Sequence, residues 1–279
     1  MLITDSHAHI FPEKIAKAAV MATGHFYENV QCGKPVALKD MIHHGGTAKE
    51  LVEAGKEAGI GRFLVFSTAT TPHQVESVNN FIAEECEAHR GQDGGPLFIG
   101  AGTMHIDYPD FAKELDRAKS LGLKGIKLHP DIQKFAIDDP RILPLYELLG
   151  ERHMFLIAHT GDYRYDYSGP KRMERVAKMF PETKFIAAHF GGWGEWEEAR
   201  QLLVLDNVYV DTSSTYAFTG PDAMIKAFHT FDPSHIFFGS DYPMWNPGKE
   251  LETVRRLGLS DNILEGVLGG NFERFLNEL

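Results

Sequence analysis

Short apolar runs and longer amphipathic stretches alternate along the whole chain. The runs "LITDSHAHI", "RFLVFST", "PLFIGAGT", "GIKLHP", "FLIAHTG", "KFIAAHFGG", "VYVDTSS" and "IFFGSDYP" are too short for helices and rich in β-branched and aromatic residues, which predicts strands. Between them, "TAKELVEAGKEAG", "YPDFAKELDRAKSLG", "LPLYELLGERH", "KRMERVAKMF", "EWEEARQLLVL" and "DAMIKAFHTF" space their apolar residues as helices do. Near-continuous apolar strands alternating with amphipathic helices imply parallel strands whose faces are covered by helices, so the class is α/β. An open doubly wound sheet needs about six strands and a Gly-rich turn after the first. This chain has eight runs and no such turn, which predicts a closed (β/α)8 TIM barrel, one domain over residues 1–279.

One interval breaks the rhythm. About 50 residues separate the first run from "RFLVFST", twice the usual gap, so an insertion of about residues 20–48 is expected after strand 1. Its segment "GHFYENVQCGKPVALKDMIHHGG" mixes Gly, aromatic and polar residues and suits a lid or wall over the barrel mouth; a solvated loop is the alternative.

Composition narrows the partners. With 43% hydrophobic and 24% charged residues the chain lies far from the disordered class. A net charge of −11 argues against a nucleic-acid partner, because phosphate binding draws on clustered Lys and Arg. The two cysteines, Cys32 and Cys86, form neither a CxxC pair nor a zinc motif and are expected to be free thiols. No charged segment followed by an apolar run opens the sequence, and no stretch approaches the roughly 18 apolar residues of a membrane span. A cytoplasmic protein acting on a small molecule, with no membrane partner, is the expectation.

In such a barrel the chemistry collects at the C-terminal ends of the strands. Here those ends are polar: His7 and His9, His105, Lys127 and His129, His159, His189, Asp211 and Asp241. Residues i and i+2 on a strand share a face, roughly 6.6 Å apart along the backbone. His7 and His9 can therefore converge on one ion, with Asp5 on the same face placed to orient them. Zinc binds imidazole nitrogen and carboxylate oxygen, and His7, His9, His159 and Asp241 are the candidate ligands around the mouth. For any single histidine a hydrogen-bonded core residue is the plain alternative. For the whole set, each closing a different strand, the metal reading is stronger.

The motifs "DSHAH", "KLHP", "AHTGD", "AHFGG" and "FGSDYP", in this order over essentially the whole chain, resemble the amidohydrolase superfamily of metal-dependent barrels. The likeness is to its amidohydrolase-related branch, which includes aminocarboxymuconate-semialdehyde decarboxylase. The resemblance implies His7, His9 and His159 as metal ligands and Asp241 as ligand or proton acceptor. It implies His189 as the group that handles a proton or polarises a carbonyl, or as a ligand where two metals bind. Lys127 and His129 would then serve a second metal or the substrate, Lys127 standing where some two-metal relatives carry a carboxylated bridge. One divalent ion, zinc in the first place, is expected, with two as the alternative. Relatives are often dimers, so a homodimer is expected as well.

A bound divalent ion lowers the pKa of its water to near 7, and Asp241 can relay the proton while His189 steadies the oxyanion. That predicts a hydrolase of an amide, lactone or ester in a small carboxylate-bearing molecule. The alternative is nonoxidative decarboxylation of an unsaturated or aromatic acid. Several aromatic-acid decarboxylases begin with Glu-x-His where this chain has "DSHAH", which favours hydrolysis. Arg164, in "HTGDYRYDYSG", offers a guanidinium for a substrate carboxylate, or a pair for Asp162 or Asp166. Tyr242 and Trp245 are candidate pocket walls, whereas Trp193 fits core packing. Asp211 either orients a ligand histidine or satisfies backbone donors. His105 is expected to be structural and His129 is undecided. Of the adjacent His43 and His44, one reaches the pocket from the lid or both are solvated.

Overall fold

The computed structural model describes residues 2–28, 44–91 and 95–279. The expected insertion is described only at its ends: residues 29–43, with Cys32 and His43, lie outside the described residues.

The eight runs form eight strands: β1 (Thr4–His9), β2 (Arg62–Phe66), β3 (Leu97–Thr103), β4 (Gly125–Leu128), β5 (Phe155–Ala158), β6 (Phe185–Ala187), β7 (Val208–Asp211) and β8 (Ile236–Phe237). They make one sheet in the order β1 to β8, the (β/α)8 barrel the alternation predicts. Helices α1 (Glu13–Tyr27) and α2 (Ala48–Ala58) follow β1, and α3 (Val75–Ala88) follows β2. Next come α4 (Phe111–Ser120), α5 (Pro130–Gln133), α6 (Leu143–Glu151), α7 (Pro170–Met179), α8 (Trp196–Leu202), α9 (Tyr216–Thr219) and α10 (Pro221–Thr230). The chain ends with α11 (Pro247–Arg255), α12 (Asp261–Glu265) and α13 (Asn271–Asn277). Among the described residues no helix is long and apolar enough to cross a membrane.

Helix starts follow local chemistry. Thr47 caps α2 in a reciprocal box, its hydroxyl accepting from Glu50 N at 3.3 Å while Glu50 Oε2 accepts from Thr47 N at 3.2 Å. Asp110 caps α4 by accepting from Lys113 N at 3.0 Å.

The chain divides into two compact units, each discontinuous in sequence. The first comprises Met1–Val65, Glu85–Ile99 and Thr212–Phe275 and holds β1 and β8. Its β8 is regular for only two residues, yet the parallel pairing with β1 continues beyond it. Ser6 N donates to Phe238 O at 2.8 Å, Asp241 N to His7 O at 2.8 Å, and His9 N to Tyr242 O at 2.7 Å.

The second unit comprises Phe66–Glu84, Gly100–Asp211 and Leu276–Leu279 and holds β4 to β7. Ile126, Leu128, Leu156, Ile157, Phe185 and Ile186 are fully buried, as strands covered on both faces must be. The register sets Leu128 beside Ala158, Ala158 beside Ala187 and Ala187 beside Val210. His129, His159 and Asp211 therefore stand at one level, a single residue beyond that row. A buried polar knot supports the unit: Asn79 accepts from Thr103 N at 2.7 Å and donates to Glu114 Oε1 at 2.6 Å. Arg117 in turn grips both Glu114 oxygens, at 2.7 and 2.8 Å.

Candidate metal centre

In the first unit β1 and the turn after β8 bring three candidate ligands together. His7 Nε2 lies 3.4 Å and His9 Nε2 3.5 Å from the same Asp241 oxygen, Oδ1. One ligand atom from each residue falls within 4.8 Å of the others. Four ligands held about 2.05 Å from a zinc ion stand about 3.3–3.4 Å apart, so the spacing of Asp241 to both imidazoles is that of tetrahedron edges. The donor set of two imidazoles and a carboxylate also suits zinc, and the residues fit the ion.

Neighbouring groups hold these ligands. His7 is fully buried, and its Nδ1 meets Ser213 Oγ at 3.1 Å. With Nδ1 donating there, Nε2 presents its lone pair towards Asp241. Asp5, fully buried, accepts from His7 N at 3.0 Å and Ser240 N at 2.9 Å through one oxygen, which ties the two chain segments together. Asp241 itself has a left-handed backbone (φ 61°), uncommon for a residue with a Cβ. Ser214 Oγ donates to Asp241 Oδ2. Burial, together with the carboxylates of Asp5 and Asp241, pushes the Glu250 carboxyl up to about 8. This concentration of negative groups is what a cation would relieve.

Phe11 stacks on His9 with ring centroids 6.5 Å apart. Tyr242 is a buried wall whose hydroxyl donates to Thr47 O at 3.0 Å, and burial pushes its pKa well up. His44 lies 5.1 Å from the Tyr242 ring, centroid to centroid, with its Nε2 3.1 Å from Asn246 Nδ2. It thus packs against the turn that carries Asp241 and is not a solvated loop residue. Trp245 is also buried.

The second unit gathers another set. His159 stacks on His129 with centroids 4.1 Å apart, and its Nδ1 lies 3.0 Å from His189 Nε2. If Nδ1 donates to His189, Nε2 of His159 keeps a lone pair for an ion. His189 stands in a left-handed turn (φ 60°), its N–H donating to Asp211 Oδ1 at 3.1 Å. Asp211 therefore satisfies a backbone donor, one of the two roles open to it. Lys127 is buried with its Nζ 4.7 Å from the Phe66 ring centroid, a cation–π contact. Arg164 grips Asp162 with two bonds, Nε to Oδ1 at 2.8 Å and Nη2 to Oδ2 at 2.7 Å, so the acid engages the fork that a substrate carboxylate would use.

Trp193 is buried, as core packing predicts, and its backbone N–H donates to Thr160 O at 2.8 Å. His105 is buried too, with Nδ1 accepting from Asp107 N at 3.2 Å, and desolvation lowers its pKa. Cys86 is a free, half-buried thiol, and burial pushes its pKa up to about 12.

Sequence reasoning passed over Ser213, Ser214 and Asp131. Asp131, at the start of α5, is buried, accepts from Ser168 Oγ at 2.6 Å and lies 3.9 Å from His159 Nε2. Burial pushes its carboxyl up to about 8 against the lowering effect of the Ser168 bond. Their only signal in the sequence is position: each follows an apolar strand by a few residues, in "VYVDTSS" and "GIKLHPD".

The sequence matches the model of the amidohydrolase family over residues 4–277. The chain belongs to the amidohydrolase family. Members are metal-dependent enzymes acting on small molecules, in keeping with the histidine and aspartate set of the first unit. Amidohydrolase-related barrels also stand among its structural neighbours. An uncharacterised TIM-barrel protein of Bordetella bronchiseptica superposes with a TM-score of 0.75 at 19% identity, over 100% of this chain and 99% of that one. The 5-carboxyvanillate decarboxylase of Sphingomonas paucimobilis gives 0.69 at 15%, over 99% of both chains. A probable 2-pyrone-4,6-dicarboxylic acid hydrolase of Acinetobacter baumannii, with citric acid bound, gives 0.69 at 14%, over 99% of this chain and 100% of that one. At these identities the likeness is one of fold.

Proposed function

We propose that this member of the family is a metal-dependent hydrolase of a small carboxylate-bearing molecule, cleaving an amide, lactone or ester. The observation that carries the reading is the convergence of His7 Nε2 and His9 Nε2 on Asp241 Oδ1 at 3.4 and 3.5 Å. His7, His9 and Asp241 hold one divalent ion, zinc in the first place. When bound, the ion supplies Lewis acidity, polarising a substrate oxygen and making water a stronger acid at neutral pH.

The remaining work falls to side chains. Asp241 accepts the proton of the attacking water and returns it to the leaving group. His189, steadied through its Nε2 contact with His159, polarises the carbonyl under attack. Phe11 and Tyr242 exclude water beside the ligands. Arg164, held by Asp162, is a candidate contact for a substrate carboxylate. Lys127 and His129 remain candidates for substrate contact or for a second ion. Support for a carboxylate-bearing substrate comes from two structural neighbours, whose names are those of a carboxyvanillate decarboxylase and a pyrone dicarboxylic acid hydrolase.

Metal analysis and turnover test this. Purified protein should hold at least about half an equivalent of zinc or a similar ion, or take it up on reconstitution. Protein that does neither refutes the metal enzyme. Chelator-sensitive hydrolysis of a carboxylate-bearing lactone, ester or amide is the expected activity. Release of carbon dioxide from aromatic or dienoic acids, with no turnover of those substrates, would replace hydrolase by carboxy-lyase.

A further inference from the structure

Asp241 Oδ2, the oxygen turned away from the imidazoles, is the end of a directed chain of hydrogen bonds. Trp245 Nε1 lies 2.8 Å from Ser214 Oγ, and Ser214 Oγ in turn meets Asp241 Oδ2. An indole N–H only donates, so the Ser214 oxygen must accept from it and aim its own proton at the carboxylate. The order Trp245 to Ser214 to Asp241 is thereby fixed. Both donors are buried, at 7% exposure each, and the Trp245 ring packs edge-on against Phe218 with centroids 6.1 Å apart. Ser214 also keeps a left-handed backbone (φ 44°), an unfavourable conformation for a residue with a Cβ.

We propose that Ser214 and Trp245 are positioning residues that lock the rotation of the Asp241 carboxylate, keeping Oδ1 turned to the ion position that His7 and His9 share. The terminal torsion of an aspartate is soft and nearly two-fold, so an untethered carboxylate would present either oxygen or lie askew. A donor chain set by a rigid indole removes that freedom before an ion arrives, which is preorganisation of a ligand by its outer neighbours. The inference rests on the metal-centre reading above.

The test uses the full chain with Zn2+ and Co2+ as probes, comparing wild type, Ser214→Ala, Ser214→Gly, Trp245→Phe and the double variant Ser214→Ala/Trp245→Phe. Competition with a chromogenic chelator gives Zn2+ affinity, and the visible spectrum of the Co2+ form reports ligand geometry. Ser214→Ala should weaken Zn2+ binding about 10–100-fold and alter the Co2+ spectrum. Trp245→Phe should weaken it less, and the double variant should match Ser214→Ala, because one chain cannot be cut twice. Glycine relieves the strained backbone, so a merely structural Ser214 would be restored by Ser214→Gly; the relay requires Ser214→Gly to bind as weakly as Ser214→Ala. Should Trp245→Phe fail to fold, the alanine and glycine variants decide alone. Zn2+ affinity within about twofold of wild type in Ser214→Ala, or multiplicative losses in the double variant, overturns the relay and leaves the metal enzyme standing. Wild-type protein that binds no ion overturns both.

Discussion

Gly161 joins the loops that carry His159 and His189, and its replacement by alanine tests how tightly those loops are pressed together. The residue has φ +91°, and a Cβ built there would strike the backbone of Gly192 and Trp193. The surrounding bonds leave little room to yield: Gly161 N donates to Ser168 O at 2.9 Å, Trp193 N to Thr160 O at 2.8 Å, and Asp162 N to Trp193 O at 2.8 Å. Two costs add. Forcing a Cβ into left-handed backbone costs about 1–2 kcal/mol. Overpacking a tight site costs about 1–3 kcal/mol more. Gly122 supplies the control, since it has φ +88° and nothing within 4 Å of a built Cβ. Gly122→Ala bears the first cost alone, and the gain of about 0.4–1 kcal/mol from a stiffer unfolded chain applies to both and cancels. Gly161→Ala should therefore be less stable than Gly122→Ala by about 1–3 kcal/mol in urea unfolding followed by circular dichroism, with a correspondingly lower Tm. Equal stabilities would show that the loops give way freely and would refute the reasoning.

Three further outcomes follow from other parts of the molecule. Glu250 carries a folded-state pKa of about 8, above its unfolded value near 4.5, so the folded chain holds the extra proton and loses stability as pH rises from about 5 through 8. Metal-free Glu250→Gln should show a flatter fall over that window in unfolding curves, and an unchanged slope would contradict the assigned burial. Asn79→Leu strands the Thr103 amide and removes a donor from buried Glu114, a loss of about 2–4 kcal/mol measurable by thermal unfolding; a loss below 1 kcal/mol would exclude the knot as a support. His189→Asn should keep its zinc and lose turnover, whereas parallel loss of metal in elemental analysis would make His189 a ligand.

The barrel was legible because buried parallel strands need uninterrupted apolar runs, and all eight runs became strands. The convergence of His7, His9 and Asp241 followed from the two-residue period of a strand and from the strand-end rule, which apply whatever the surrounding loops do. The pairing of Arg164 with Asp162 is one of two partners that the sequence allows, because spacing alone cannot say whether an arginine meets its neighbour or a ligand. Ser213, Ser214 and Asp131 stayed hidden for a related reason. Serine and aspartate in a loop usually serve turns, and their roles here depend on backbone turns such as the left-handed one at Ser214, which no hydropathy pattern encodes.

The pairing of β1 with the residues after β8 uses the amides of Ser6, His9 and Asp241, two of which belong to candidate ligands. Closing this seam and shaping the metal site are consequently a single structural event. Hydrogen exchange at those amides becomes a local gauge of ion occupancy: chelation should speed it selectively, while amides of β5 and β6, far along the strand order, keep their protection. The ion would then act as a rivet in the barrel wall as well as a reagent, and loss of metal would register first as an opening of one joint.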